Sequence, residues 1–317
     1  MINIILQFDT IFNEKVRLLI MRYLGNDAQA RSLLYTIESG KNRFRSGLSY
    51  LLSGETETGI AIGAASEIAW AAILILDDIG DNTWIRRGKS SAWRKFGLLE
   101  SSHAASLGFI IANLILKEKA GSFLGESLEK NIELTLRAQI EQGVFDITTS
   151  AAQILKNYFG KTALGRWAIE AGVEVNTSLG ADDKKLIKDF SEKVAVAAQI
   201  RNDLDDFLID AESEKYEPSM KDLRDETINY VSALFFETAS TEDKVRFLGE
   251  CWGQKVFQQS QVAQGAREIL GSCGIFERCE SEIRSQIEVA SSLICSIPEP
   301  HRNLLINWAR NYEERKV

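Results

Sequence analysis

Proline is almost missing from this chain. Three occur in 317 residues, Pro218, Pro298 and Pro300, so the first two hundred residues contain none. Proline breaks helix interiors, and its scarcity favours a mostly helical protein. Histidine is scarcer still. His103 and His301 are the only two, neither has a ligand partner at helical spacing, and both read as structural. The four cysteines, Cys251, Cys273, Cys279 and Cys295, include no pair at zinc-site spacing and are expected to be reduced thiols, partly core. There is no basic excess either: 37 Lys and Arg face 45 Asp and Glu, a net charge of −8 that argues against a nucleic-acid partner. The start, "MINIILQFD", lacks a basic leader and makes a poor signal peptide. The most membrane-like stretch, residues 59 to 76, is interrupted by Glu67 and runs straight into aspartates. A membrane span wants roughly 20 uninterrupted apolar residues, so the expectation is a cytoplasmic protein that does not cross a membrane.

What the chain does contain is helical periodicity. Phe12, Val16, Leu19, Ile20 and Leu24 fall on one stripe, and "SALFFETA" and "SEIRSQIEVASSLI" behave similarly. No repeat, low-complexity tract or Pro/Gly/Ser linker divides the sequence. A single all-α domain over residues 1–317 is expected, with about ten or more helices by typical helix lengths. Residues 59 to 76 are apolar nearly all round, which marks a central helix.

That helix ends in charge. "LILDDIGDNTWIRRGKSS", residues 74 to 91, brings Asp77, Asp78 and Asp81 to one helix face, and Arg86, Arg87 and Lys89 follow at once. Three carboxylates beside a core cost several kcal/mol unless something compensates them. Lysine pairing would serve, but no lysine occurs between residues 60 and 88. Mg²⁺ is the other solution, since it prefers hard oxygen ligands. A solvated helix end remains the alternative for this stretch alone. A second cluster, "QIRNDLDDF", places Asn202, Asp203 and Asp206 on one face with Gln199 a turn earlier, about 120 residues downstream. The two patches suggest opposite walls of one cleft. Mg²⁺ usually keeps coordination sites for substrate phosphate oxygens, and Arg86 and Arg87 would grip a second phosphate group by forked hydrogen bonds. Together these features predict a substrate with an anionic head and an oily tail.

With these motifs the sequence resembles the trans-type isoprenyl diphosphate synthases, the polyprenyl synthetase family, from about residue 35 to 230. "DDIGDNTWIRRGK" matches the first aspartate-rich motif with its Arg-Arg-Gly, and "QIRNDLDDF" resembles the second. "GKTALGRWAIEAG" is similar to the family's Lys-Thr helix, and "SGKNRFRSG" is a looser relative of its amino-terminal Gly-Lys-Arg motif. The resemblance implies an isoprenoid synthase bundle around a central cleft, commonly a homodimer. It implies three Mg²⁺ ions bridging an allylic prenyl diphosphate to Asp77, Asp78, Asp81 and Asp203, with Asn202 and Asp206 as further ligands. Arg86, Lys161, Thr162 and Gln199 would contact that diphosphate, while Lys41, Arg45 and Arg87 would hold a second one. The implied reaction ionises the allylic substrate and traps its cation with isopentenyl diphosphate.

Departures from the pattern cluster at the isopentenyl side. The family's histidine seven residues before the first aspartate is Trp70 here, which offers a π face to a cation or simply packs in the core. The usual Gly-Asp downstream reads Ala105-Ser106, the second motif opens on Asn202, and two family lysines are replaced by Glu217 and Asp225. Ala72 is small where short-product members often carry an aromatic, which predicts a geranylgeranyl-length product. The same departures admit other acceptors. The chain looks similar to bacterial prenyltransferases that isoprenylate a tryptophan of a pheromone peptide. Asn202, Asp206 and Asp210 approximate a terpene-cyclase metal triad, and a non-catalytic subunit of a heteromeric synthase would also tolerate such changes.

Overall fold

The structure is a computed structural model that describes residues 31–40, 44–208, 220–254 and 259–313, with scattered positions between 14 and 25. Lys41, Asp210 and Glu217 lie outside the described residues, as do Phe12, Val16, Ile20 and Leu24 of the amino-terminal stripe. The described chain is all-α, apart from one two-stranded hairpin. In order it forms α1 (Arg31–Ser39), α2 (Phe44–Leu52), α3 (Glu57–Gly80), β1 (Ile85–Arg86), β2 (Lys89–Ser90), α4 (Ala92–Phe96), α5 (Leu98–Lys119) and α6 (Ser122–Gln142). There follow α7 (Ala151–Lys161), α8 (Ala163–Val175), α9 (Ala181–Leu208), α10 (Lys221–Arg224), α11 (Tyr230–Thr238), α12 (Thr241–Glu250), α13 (Gln259–Ser272), α14 (Ile275–Leu293) and α15 (Glu299–Glu313).

Two compact units can be distinguished, one of residues 1–136 with 163–191 and one of 137–162 with 192–317. The first is organised by α3. Thr56 caps its start, its side chain accepting the Gly59 N–H at 3.1 Å, and Asp81 closes its end. Ile62, Ile68, Ile73 and Ile75 are fully or almost fully buried, each contributing about 1.5–3 kcal/mol of apolar transfer. Small residues let neighbouring helices come close. A Cβ on Gly108 of α5 would lie 3.2 Å from that of Ala72 and 3.0 Å from Leu33 Cδ2. On α8, a Cβ at Gly172 would meet the Ser49 carbonyl oxygen of α2 at 2.4 Å.

By length and hydropathy alone α3 and α5 could each cross a membrane. The most apolar stretch of α3 is 83% buried within the protein, as befits the central helix the sequence predicts. α5 has no counterpart among the sequence expectations, and it leaves Leu99, Ile110 and Leu114 exposed on its outer side.

In the second unit, capping boxes at Ser150–Gln153 and Asn229–Ser232 start α7 and α11. "SALFFETA" and residues 281–294 fall on α11 and α14, as their periodicity predicts. Phe235, Phe236, Phe247 and Trp252 pack as one aromatic cluster, with ring centroids 4.6–6.0 Å apart. All four cysteines are free thiols, and burial raises the pKa of Cys251 to about 11 and of Cys279 to about 12.

Candidate active site

In the first unit the site is built at the end of α3. Asp78 is 2% exposed, Asp77 is half-buried and Asp81 is exposed at the helix cap. The chain then turns through a hairpin in which Ile85 pairs with Ser90 and Arg86 with Lys89. Arg87 and Gly88, at φ 55° and 73°, are the two left-handed residues of this tight turn. The hairpin points Arg86 back at the helix. Its Nε donates to Asp78 Oδ1, and its Nη2 lies 3.4 Å from Asp77 Oδ2. Arginine therefore supplies compensation that the sequence argument sought only from lysine or a divalent cation. Arg86 thus offsets part of the negative charge at the acidic end of the apolar helix.

A second basic group stands near it. The Arg87 side chain is exposed, yet partial burial of its head lowers its pKa, and repulsion from Arg86 and Arg45 adds to that effect. Glu67 and Asp78 act in the opposite sense. Glu67, the charge that interrupts the apolar run, accepts a 2.7 Å hydrogen bond from the Ser46 hydroxyl. Ala72 is fully buried against Gly108 rather than presenting an open wall, so its small size serves close helix packing.

In the second unit Asp203 is the centre. It is 5% exposed, its Oδ2 accepts from the Tyr158 hydroxyl and, at 3.1 Å, from the Tyr230 N–H. Gln199 Nε2 donates to its other oxygen at 3.0 Å. Burial pushes the Asp203 pKa up to about 6, the Lys161 charge pulls it down, and Asp222 adds to the rise. Asp206 accepts the Met220 N–H at 3.1 Å through Oδ1, while its Oδ2 is buried with no hydrogen-bond partner. Its pKa rises to about 7, chiefly by burial and then by the Asp222 charge. Asn202, one turn before Asp206, is exposed. Lys161 Nζ donates to Gln142 Oε1 at 2.7 Å, and the Thr162 hydroxyl donates to the Tyr158 carbonyl at 2.7 Å.

Thus Asp77, Asp78, Arg86, Arg87 and Arg45 form one group, and Lys161, Gln199, Asp203 and Asp206 another. Tyr158 and Asp222 belong with the second group and have no sequence signature of their own. Asp225, which replaces a family lysine, is ion-paired at 3.1 Å with both Lys221 and Arg224, so its negative charge is locally offset. The donor set suits Mg²⁺: every candidate ligand is an oxygen, and Asp206 Oδ2 is an unsatisfied buried one. Among the described residues no three acidic, histidine or cysteine side chains form a ready-made cage.

Comparison with known proteins bears on these motifs. The family model for polyprenyl synthetase matches residues 28–269. Geranylgeranyl diphosphate synthase of Sulfolobus acidocaldarius is 26% identical over 282 residues, covering 82% of this chain and 83% of that one. Octaprenyl diphosphate synthase of Escherichia coli is 21% identical over 305 residues, covering 92% and 91%. A crystal structure of polyprenyl synthase from Caulobacter crescentus, complexed with calcium and isoprenyl diphosphate, shares the fold at a TM-score of 0.87 and 19% identity, over 100% of this chain and 98% of that one. With a family model matching most of its length, the chain belongs to the polyprenyl synthetase family of prenyltransferases.

Proposed function

We propose that the chain is a Mg²⁺-dependent synthase, one isoprenoid-synthase domain over its whole length. It ionises an allylic prenyl diphosphate and joins it to isopentenyl diphosphate, giving a geranylgeranyl-type product, a length supported by the likeness to the Sulfolobus acidocaldarius synthase and no longer by Ala72. The observation that carries this reading is the rim of α3, where Asp77, Asp78 and Asp81 meet Arg86 and Arg87 at the end of a buried apolar helix.

Asp77, Asp78, Asp81, Asn202, Asp203 and Asp206 are the residues that would hold Mg²⁺, which the family resemblance puts at three ions. When bound, Mg²⁺ supplies Lewis-acid charge to the leaving diphosphate. The chain's own part is to orient and exclude. Arg86 fixes the Asp77 and Asp78 carboxylates, and Tyr158, Gln199 and the Tyr230 N–H fix Asp203. Lys161, Thr162, Gln199 and Arg86 stabilise charge growing on the allylic diphosphate, the preorganised donors such a step requires. Lys41, Arg45 and Arg87 hold the second diphosphate. Apolar helix walls keep water from the allylic cation. Pairing of two copies would cover the exposed Leu99, Ile110, Leu114 and Phe123, which supports a homodimer. The expected compartment is the cytoplasm.

A thermal-shift titration tests the metal half of this reading. Mg²⁺ with inorganic diphosphate raises the melting temperature of the wild type and not of Asp81→Asn. A wild type that does not respond would point instead to a non-catalytic subunit.

A further inference from the structure

Seven residues before Asp77, α3 carries Trp70, and the structure gives its ring a partner. The Arg45 guanidinium carbon lies 4.0 Å from the ring centroid, a close cation–π contact. Gly165 of α8 borders both groups. A Cβ built there would lie 3.7 Å from Trp70 Cζ3 and 3.8 Å from Arg45 Nε, so the α8 backbone closes over the stack with ordinary contacts. Next to Arg45 in sequence, Ser46 is tied to Glu67, one helical turn before Trp70. α2 and α3 are thus joined by a hydrogen bond and a stack at neighbouring levels. Arg45 and Arg87 feel one another's charge, and repulsion from Arg45 helps lower the Arg87 pKa. Two like charges that act on one another favour an anion, and guanidinium forks match phosphate oxygens. A free arginine side chain would swing away from Arg87 and lose rotamer entropy when recaptured. The indole face removes that freedom without adding a charge.

We infer that Trp70 is a positioning residue for the second diphosphate: its ring clamps Arg45 so that the guanidinium is preset beside Arg87. The face that Arg45 covers is closed to a substrate cation. The inference rests on the proposed synthase reading, in which Arg45 and Arg87 hold that diphosphate.

The test compares wild type, Trp70→Phe, Trp70→Leu, Arg45→Lys and the double variant Trp70→Leu/Arg45→Lys, using geranyl and isopentenyl diphosphates as substrates. Trp70→Leu raises KM for isopentenyl diphosphate about tenfold, the scale of a partly desolvated cation–π contact, and leaves the allylic KM and kcat within about threefold. Trp70→Phe keeps a ring and restores most of the affinity. Arg45→Lys, which loses the planar group, reproduces the selective KM effect even if Trp70→Leu does not fold. The double variant is no worse than Arg45→Lys. Equal losses in both KM values, a fall in kcat alone, or multiplicative effects of the two substitutions would overturn the inference. If the wild type does not turn over isopentenyl diphosphate, the synthase reading fails separately. The clamp is then read from calorimetric binding of inorganic diphosphate, which weakens in Trp70→Leu but not in Trp70→Phe if the clamp holds, and is equal in both if it does not.

Discussion

Tyr158 donates its hydroxyl hydrogen to the buried Asp203 carboxylate, and the backbone N–H of Tyr230 reaches both oxygens of this pair, at 3.0 Å to the Tyr158 hydroxyl and 3.1 Å to Asp203 Oδ2. Burial and the adjacent Asp203 charge raise the Tyr158 pKa, so the phenol stays a donor throughout the working range. One residue from α7 and one from α11 thereby fix a carboxylate on α9 before any ligand arrives. Removing the hydroxyl in Tyr158→Phe leaves Asp203 short of a donor in a dry setting. A stability loss of about 1–3 kcal/mol is expected. Urea denaturation would show it as a lower midpoint at unchanged slope, and an unchanged midpoint would contradict it.

The raised pKa values of Asp203, about 6, and Asp206, about 7, fix a pH dependence. Both lie above ordinary carboxylate values, so in this range the folded chain holds protons that the unfolded chain has already released. Their contribution therefore favours the fold below the unfolded pKa and is lost as pH rises through 6 and 7. Metal binding has the opposite demand, because ligands must be deprotonated. The rise in melting temperature caused by Mg²⁺ and diphosphate is expected to be large at pH 8 and to shrink as pH falls through 7 toward 6. Asp206→Asn should flatten the upper part of that profile.

Arg86 and Asp78 are a partly buried pair whose acidic member is 2% exposed. Arg86→Ala takes a cation away from that buried carboxylate, and breaking a buried pair costs up to about 3–5 kcal/mol. Adding Asp78→Asn removes the buried charge and is expected to recover most of the stability. Turnover should not recover, since both groups belong to the proposed site. A double variant as unstable as Arg86→Ala would show that the pair does not act through charge.

Gly172 and Gly108 separate close packing from loose. At Gly172 a methyl group meets backbone, the Ser49 carbonyl oxygen at 2.4 Å, whereas at Gly108 it meets the tip of Leu33 and the Cβ of Ala72. The Leu33 tip can rotate and the Ala72 Cβ, at 3.2 Å, needs only a slight shift, whereas the Ser49 backbone must move much further, so Gly172→Ala should cost about 1–3 kcal/mol or more and Gly108→Ala clearly less. Chemical denaturation of the two variants side by side checks the order.

The carboxylate clusters were legible because helical periodicity is local: Asp77, Asp78 and Asp81 must share a face once residues 59–76 form a helix. The pairing of Arg86 with Asp78 is not legible, because it depends on a hairpin that folds back over eight residues. Tyr158 stands 45 residues before Asp203 in the chain, and Asp222 sits among the acids by way of a separate short helix. Neither contact leaves a pattern in sequence spacing. Ala72 was legible as small but not as packed, since its neighbour Gly108 lies on a different helix. The exposed face of α5 was missed for a related reason: its apolar residues surround the whole helix, so no polar stripe announces which side faces outward.

The most direct test of the synthase reading is the product itself. The protein is incubated with Mg²⁺ and geranyl, farnesyl or geranylgeranyl diphosphate, with and without isopentenyl diphosphate, and the products are identified by mass spectrometry. The account predicts that geranyl and farnesyl diphosphates are elongated to geranylgeranyl length only when isopentenyl diphosphate is present, and that geranylgeranyl diphosphate is not extended. Release of a hydrocarbon or alcohol without it, or no turnover in either case, would contradict it.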